Sequence, residues 1–475
     1  MREILKASFI YRALTKLADW FDYEFETSRI ANAFLAEPRG EESVDASIFY
    51  KLWLYIHRFM AFIYEKLHLD FLFSGSILLN TMFWCALTCV LAPILPTSII
   101  IVFCSLSLLS MFICLARDRE KKLSYSPANK FILLFAGIYT VAVAASPTLR
   151  ESLFSGLVFI TFTLFAIVLQ SVVENKRELF LVLNLMILSG VIVSLYGIAQ
   201  YVLGKSGSSS WIDSSMFDGI RLRVYSTLQN PNVLAEYLLL IIPITIAMFF
   251  KEKNLKLKLI YGTAVFSMGV CMILTFSRGG WLGLLIAAAL FLVILDRRFI
   301  FLGIIGLVVL YFILPSAVID RFMSIGNMAD TSTAYRVYIW IGTLRMLSDY
   351  WLSGTGFGFA SFARVYPAYA LHAVAAPHSH NLFLQITCDS GIMGLIVFLL
   401  LLFSYFRTLG GCIKRTEDSG IRYVMIGCIC AVIGFLVQSM TDYTFYNYRV
   451  MLMFWAVIAL GLAAARISKK AEGDE

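Results

Sequence analysis

The sequence has few charged residues: 15% of its 475 residues are Asp, Glu, Lys or Arg, whereas 60% are hydrophobic. Soluble globular chains carry about 25% charged residues, and the mean hydropathy here is +0.80. This deficit of charge excludes a soluble globular protein and predicts a polytopic membrane protein.

Several other features are missing. No apolar core of a cleavable signal peptide is visible among the charged residues at the N-terminus. The nine cysteines lie mostly in apolar segments, where they act as small apolar residues, and Cys428 and Cys430 have no partner pair at zinc spacing. No internal repeat, low-complexity tract or nucleic-acid-binding motif is evident. These absences predict no bound cofactor, no metal site and no nucleic-acid partner.

Long apolar runs divide most of the chain. A helix needs about 20 apolar residues to cross a bilayer, and runs near this length predict an all-α protein with about twelve transmembrane helices. The runs lie near residues 71–92, 95–116, 130–146, 152–173, 179–203, 233–250, 259–276, 280–295, 299–315, 383–406, 422–440 and 449–465. One long polar interruption, roughly residues 316–381, separates spans nine and ten.

The distribution of basic residues predicts the orientation. If the N-terminus is cytoplasmic and the spans alternate, roughly 20 basic residues fall in cytoplasmic segments and about ten outside, as the positive-inside rule favours. Both termini are then cytoplasmic, and the polar segment 316–381 lies on the outer face of the cytoplasmic membrane.

Residues 1–70 form a separate region. Apolar residues recur at helical spacing in Ile10–Phe25 and again in Ile48–Ile63, with basic residues between them, and residues 37–42 form a break. Such amphipathic helices are typical of a membrane surface; binding to a protein partner is the alternative. Residues 71–475 form the membrane domain.

Three of the five histidines lie in the long polar segment. His372, His378 and His380 precede the tenth apolar run, close to its start. A base that exchanges protons near neutral pH is one reason to keep such a cluster beside a membrane helix. A solvated loop that happens to contain histidines is the alternative interpretation.

Arginines on the outer side lie at predicted membrane boundaries, in segments otherwise poor in charge. A guanidinium group binds phosphate in a bidentate manner, and a low dielectric strengthens that attraction. Each one alone could equally extend to the phosphates of ordinary lipids, but together they predict a site for a lipid-linked phosphate or pyrophosphate. They are Arg221, Arg223, Arg278, Arg336 and Arg449.

Four segments in order give the chain a family resemblance across roughly residues 70–466. The first is Arg223 with Asn230-Pro-Asn232, and the second is Ser277-Arg-Gly279. The third is Arg336-Val-Tyr-Ile-Trp340 followed by Gly354-Thr-Gly-Phe-Gly358. The last is His380-Asn381, nine residues, then Gly391-x-x-Gly394. The chain thus resembles the O-antigen ligase and polymerase superfamily, which uses polyprenyl-pyrophosphate sugar donors.

The resemblance implies a fold of the lipid-donor glycosyltransferase type (GT-C-like), an extracytoplasmic site and catalysis without a metal ion. The absence of an outer Asp-x-Asp cluster agrees with this. His380 is then the candidate general base, and Arg278, Arg336 and Arg223 are the main candidates for binding pyrophosphate. Gly391 and Gly394 are expected to permit close helix packing rather than to touch substrate.

Several roles stay open at this level. Asn381 either satisfies backbone groups at the start of the helix, which we favour, or contacts sugar hydroxyls. His378 is an alternative base, and with His372 and His380 an alternative metal ligand. Asp389 and Asp442 are both candidates for the carboxylate that orients the base, and both could be polar packing residues.

The partners implied are a polyprenyl-pyrophosphate-linked glycan, membrane lipids and a glycan, lipid or protein acceptor. An O-antigen ligase is the first expectation; a polysaccharide polymerase or a protein O-oligosaccharyltransferase differs mainly in the acceptor. A polysaccharide transporter is the more distant alternative. Its ionisable residues should lie near the middle of several spans, whereas these crowd one outer boundary.

Overall fold

The structure is a computed structural model that describes residues 48–67, 80–118, 123–124, 126–204, 222–296 and 299–473. The predicted segment Ile10–Phe25, the break at 37–42 and Arg221 lie outside these ranges. The chain divides into two compact units, Met1–Leu67 and His68–Glu475.

The first unit contributes one described helix, α1 (Ile48–Lys66), where the sequence predicts an amphipathic helix. Tyr55, Phe59 and Phe62 recur along it at helical spacing and are exposed. An apolar stripe of this kind suits a membrane surface, and the interfacial position of this helix stays a prediction.

The described residues of the second unit form helices joined by turns and loops, with no strand among them. The helices are α2 (Thr81–Leu91), α3 (Thr97–Arg117), α4 (Pro127–Ala144), α5 (Leu149–Val172), α6 (Lys176–Val202), α7 (Pro231–Lys251), α8 (Leu255–Leu274), α9 (Arg278–Leu295), α10 (Phe299–Ile313), α11 (Ser316–Met323), α12 (Thr331–Tyr350), α13 (Phe359–Val365), α14 (Leu382–Arg415), α15 (Ser419–Ser439) and α16 (Tyr448–Glu472). Short 3₁₀ turns lie at Ser226–Leu228, Tyr366–Ala368, Leu371–Ala373 and Thr444–Tyr446.

The described residues include ten helices that are long and apolar enough to cross a membrane, and two shorter apolar helices at Thr81–Leu91 and Gly303–Ile313. The all-helical polytopic architecture is therefore confirmed, while the count of about twelve spans stays a prediction. The polar segment 316–381 is not extended chain: it contains α11, α12 and α13, and α12 is the loop helix predicted around Arg336.

The centre of the bundle is formed by α7, α15 and α16. In α16 and α7, 89% and 83% of the most apolar stretch is buried inside the protein, against 28% in α9. Helices α9 and α15 cross closely, because a Cβ atom added to Gly283 would lie 2.5 Å from the carbonyl oxygen of Gly434. Small residues at such a crossing allow the two backbones to approach.

Helix α14 is interrupted at Gly391, which has φ +70° and ψ −178°. A turn of the preceding segment packs into the interruption: the amide of Ile392 donates to the carbonyl oxygen of Trp351 at 2.8 Å, and the Thr355 hydroxyl donates to that of Cys388 at 3.1 Å. These two hydrogen bonds satisfy backbone groups that have no partner within the interrupted helix. Backbone groups inside a membrane need such partners because no water is available to them. A short half-helix, Leu382–Ser390, is thereby separated from the rest of α14.

We expect Gly391→Ala to destabilise the protein strongly. Its backbone conformation is nearly exclusive to glycine and costs other residues about 1–3 kcal/mol, and a Cβ atom there would lie 1.9 Å from the carbonyl oxygen of Leu352. Thermal unfolding in detergent, followed by intrinsic fluorescence, measures the effect. The matched control is Gly410→Ala in the same helix, where a Cβ atom has open space and alanine should be neutral or stabilising. Equal melting temperatures for the two variants would contradict the expectation.

Candidate active site

His380 lies in the turn immediately before α14. Its φ of +49° is left-handed, an uncommon conformation for a residue with a side chain. Two hydrogen bonds hold it: the Trp340 Nε1 donates to the carbonyl oxygen of His380 at 3.2 Å, and the amide of His380 donates to Nδ1 of His378 at 3.2 Å. The turn therefore presents the His380 ring in one fixed direction.

The imidazole of His380 contacts the carboxylate of Asp442. The distance from Nδ1 to Oδ1 is 3.2 Å, and the His380 side chain keeps 20% of its surface exposed. With Nδ1–H donated to the carboxylate, Nε2 is the nitrogen that can accept a proton. Of the two carboxylates that the sequence left open, Asp442 is the one that contacts the histidine.

Asp442 is buried and held in its ionised form. Its Oδ2 accepts from Nδ2 of Asn232 at 3.2 Å and lies 3.7 Å from Nη2 of Arg336, and its Oδ1 also accepts from the amide of Tyr443. Burial opposes ionisation, but the hydrogen bond and charge of His380 and the charge of Arg336 hold the pKa of Asp442 well below its usual range. A permanent negative charge thus lies behind the imidazole.

Arg336 is carried on α12 and is fixed on three sides. Its Nε donates to the carbonyl oxygen of Thr441 at 2.8 Å, and its Nη1 donates to the carbonyl oxygen and the hydroxyl of Ser332, one turn earlier. Together with the 3.7 Å contact to Asp442, these bonds orient the guanidinium toward the histidine–aspartate pair. Arg336 and His380 therefore lie against the same carboxylate, and the role of Arg336 in binding pyrophosphate stays a prediction.

Arg223 is linked to the same carboxylate through Asn232. Its Nε donates to the carbonyl oxygen of Thr275, and its Nη2 donates to Oδ1 of Asn232, both at 2.8 Å. Asn232 therefore bridges Arg223 to Asp442, which explains the use of an asparagine at the start of α7. Burial, followed by the charges of three neighbouring arginines, lowers the pKa of Arg223 to about 9.

One of these three neighbouring arginines, Arg321, was not among the residues predicted from the sequence. Arg278, at the start of α9, donates from Nη2 to Oδ1 of Asp330 at 2.7 Å and from Nη1 to the hydroxyl of Ser324 at 2.9 Å. Arg321, on α11, donates from Nη1 to the other oxygen of Asp330 at 3.2 Å. Like the predicted arginines, Arg321 lies near a predicted membrane boundary in a segment that the sequence assigns to the outer side, which is the signal that could have identified it.

Among the described residues, the site brings four arginines, Arg223, Arg278, Arg321 and Arg336, close to two ionised carboxylates, Asp330 and Asp442. Burying like charges together is unfavourable unless an anion accompanies them. We refer to these four residues as the arginine cluster; its composition suits a diphosphate group.

His378 has a different environment from His380. It is buried, and its ring packs among those of Phe359, Tyr443 and Tyr446 at centroid distances of 5.1–6.0 Å. Burial, followed by the charge of His380, lowers the pKa of His378 to about 3. Its Nδ1 already accepts the amide of His380, so His378 supports the turn rather than serving as a base.

We expect His378→Asn to preserve the pH profile of activity. The Oδ1 atom of asparagine can replace Nδ1 as the acceptor for the His380 amide, and a group with a pKa of about 3 stays neutral throughout the range in which a histidine base titrates. The acidic limb of the rate profile should keep its midpoint while the rate falls about tenfold or less, the value of one hydrogen bond. A displaced acidic limb, measured by glycan transfer against pH, would assign the base to His378.

The other predicted residues lie in supporting positions. Asn381 caps α14, accepting the amide of Leu384 at 3.0 Å and donating to the carbonyl oxygen of Met440 at 2.8 Å. Arg449 donates to the carbonyl oxygens of Leu95 and Thr227, each at 3.2 Å. Both make hydrogen bonds to backbone groups, and their contact with substrate stays a prediction.

The alternative metal site predicted from the sequence would use His372, His378 and His380. The ring of His372 packs against Tyr338 with centroids 5.1 Å apart, whereas the rings of His378 and His380 lie 4.1 Å apart. In the part of the chain that the structure describes, no three His, Cys, Asp or Glu residues are grouped to hold a metal ion.

A sequence-family model described as O-Antigen ligase matches residues 263–399. This stretch contains Arg278, Arg321, Arg336 and His380, whereas Asp442 lies beyond its end. The resemblance inferred from the motifs is therefore confirmed at the level of the family. No curated protein matches the chain.

Proposed function

Residues 263–399 carry the domain of the O-antigen ligase family of membrane glycosyltransferases, and on that premise we propose that this enzyme transfers a glycan from a polyprenyl-pyrophosphate carrier to an acceptor hydroxyl. The observation that supports this most is the contact of His380 with Asp442 directly beside the arginine cluster. A base and a binding site for a diphosphate leaving group are the two requirements of that reaction.

Each of these groups has a role in the proposed reaction. Nε2 of His380 accepts the proton of the acceptor hydroxyl as its oxygen attacks the anomeric carbon of the glycan. The bond from that carbon to the pyrophosphate oxygen breaks, its electron pair stays on the pyrophosphate, and the polyprenyl pyrophosphate leaves. Asp442 stabilises the imidazolium that forms, and the arginine cluster stabilises the charge that develops on the leaving group.

We propose that the site faces the extracytoplasmic side of the membrane. The starts of α7, α9, α14 and α16 lie near the site, so their other ends and the basic connections there lie on the opposite face. The positive-inside rule assigns that opposite face to the cytoplasm. The donor would thus be used after its glycan has reached the outer leaflet.

Purified protein in proteoliposomes with a polyprenyl-pyrophosphate-linked glycan and a lipid-linked sugar acceptor tests the activity. We expect a covalent glycan–acceptor product, detected by its shift in gel electrophoresis and by mass spectrometry. Movement of the donor between leaflets without such a product would instead identify a transporter.

The orientation is tested by labelling intact cells with a membrane-impermeant maleimide. Ser348→Cys places an exposed thiol on α12, and Ser419→Cys places one at the opposite end of the bundle, at the start of α15. We expect only Ser348→Cys to react without permeabilisation. The reverse pattern would place the site in the cytoplasm and overturn the proposed use of the outer leaflet.

A further inference from the structure

Behind the turn that carries His380, two side chains of the half-helix Leu382–Ser390 connect the turn to the interior. The amide of Ser379 donates to Oε1 of Gln385 at 2.8 Å, and Nε2 of Gln385 donates to Oδ1 of Asp389 at 2.9 Å. Both side chains are almost completely buried, with 1% of their surface exposed. The proposed reaction leaves these two polar residues without a function.

Asp389 determines how the amide of Gln385 is oriented. Nε2 of Gln385 donates to Oδ1 of Asp389, so the NH₂ group of Gln385 faces Asp389 and its carbonyl oxygen faces Ser379. The reversed amide would place two donors together at Ser379. A buried polar pair costs stability unless its hydrogen bonds are made, so this chain of bonds has one favourable arrangement.

The turn depends on that arrangement. A left-handed residue such as His380 costs about 1–3 kcal/mol and persists only where surrounding contacts fix it. Ser379 supplies two of these contacts, since its amide donates to Gln385 and its hydroxyl donates to the carbonyl oxygen of Asn381 at 2.8 Å. The interruption at Gly391 follows two residues after Asp389 and ends the half-helix that holds the pair.

We propose that Gln385 and Asp389 are positioning residues, which hold the Ser379 amide and thereby keep the His380 imidazole aligned with Asp442 for proton transfer. This inference rests on the function proposed above. The pair acts on the base and not on the arginine cluster, so it governs the chemical step rather than the binding of the donor.

Gln385→Met keeps the length of the side chain and removes both hydrogen bonds. We expect it to lower kcat about 10–100-fold with the donor KM changed less than about threefold, since small displacements of a catalytic group have effects of this size. Gln385→Glu keeps an acceptor oxygen for Ser379, a proton shared with the adjacent Asp389 avoids two like charges, and the variant should recover most of the lost rate. Wild-type kcat in Gln385→Met, or Gln385→Glu as slow as Gln385→Met, would overturn the proposal.

A double-mutant cycle shows whether Gln385 and Asp389 act through one chain of hydrogen bonds or affect kcat independently. We expect Asp389→Leu alone to lower kcat about tenfold, and Gln385→Met/Asp389→Leu to be no slower than Gln385→Met within about twofold, because residues that act as a unit are not additive. Effects that multiply would contradict the proposed chain. Thr387→Val is the matched control, because its buried hydroxyl donates only to the carbonyl oxygen of Phe383 in its own helix.

One measurement needs no glycan transfer and so distinguishes failure of this inference from failure of the proposed function. Diethyl pyrocarbonate modifies exposed imidazoles, and mass spectrometry can follow the modification of His380. We expect the rate at His380 to change several-fold in Gln385→Met, to return toward wild type in Gln385→Glu and to be unaffected by Thr387→Val. Equal rates in all four proteins would overturn the positioning role even if the enzyme transfers glycans as proposed.

Discussion

His380→Ala should reduce glycan transfer about 10²–10⁴-fold, the usual contribution of a general base. The variant removes the nitrogen proposed to take the proton of the acceptor hydroxyl, while the arginine cluster proposed to bind the donor stays intact. Transfer in proteoliposomes should therefore show a loss in kcat, with donor binding, measured separately on the purified protein, close to wild type. His372→Ala is the matched control in the same segment, since the His372 ring packs against Tyr338 and has no role in the proposed reaction.

Asp442→Asn should have a smaller effect of the same kind. Asparagine can still accept the proton on Nδ1 of His380 but lacks the charge that stabilises the imidazolium, and a hydrogen bond to a charged group contributes about 1.5–3 kcal/mol. This corresponds to about 10–100-fold in kcat. Combined with His380→Ala, the Asp442→Asn substitution should add little, because the two residues act as one unit. Full activity in either single variant would remove the pair from the mechanism.

The sequence predicts the local parts of this site well. Helix α12 around Arg336, the start of α14 at His380-Asn381 and the placement of Arg278 at the start of α9 all follow from apolar periodicity and from polar residues at helix ends. The capping role favoured for Asn381 also agrees with its contact to Leu384. Each of these features depends on residues within a few positions of one another.

The features that the sequence could not predict depend on contacts between residues that are far apart in the sequence. Asp442 is 62 residues from His380 in sequence, and nothing local distinguishes it from Asp389, which is closer in the chain but faces Gln385. The pairing of Arg278 and Arg321 through Asp330 likewise requires α9, α11 and α12 to meet. The interruption at Gly391 could not be predicted either, because the apolar run continues through it and only the approach of the Leu352 backbone requires it.

Arg336→Ala should reduce transfer about 10²–10³-fold, the usual result of removing one group that stabilises a developing negative charge. Arg336 is the member of the cluster that also contacts Asp442, so its loss affects both the leaving group and the carboxylate behind the base. We therefore expect kcat to fall and the donor KM to rise together, a combination that distinguishes this variant from Asp442→Asn, in which kcat alone should fall.

Arg336→Lys tests whether the charge of Arg336 or the planar shape of its guanidinium group is required. Lysine keeps the charge but cannot reproduce the planar group that donates both to Thr441 and to Ser332, so we expect activity about tenfold below wild type and well above Arg336→Ala. Arg345→Ala, an exposed arginine on the same helix, controls for general loss of positive charge and should transfer normally. If Arg345→Ala and Arg336→Ala lost activity equally, the effect would be one of net charge. If Arg336→Lys matched Arg336→Ala, the geometry of the guanidinium, rather than its charge, would be the property on which the departure of the pyrophosphate depends.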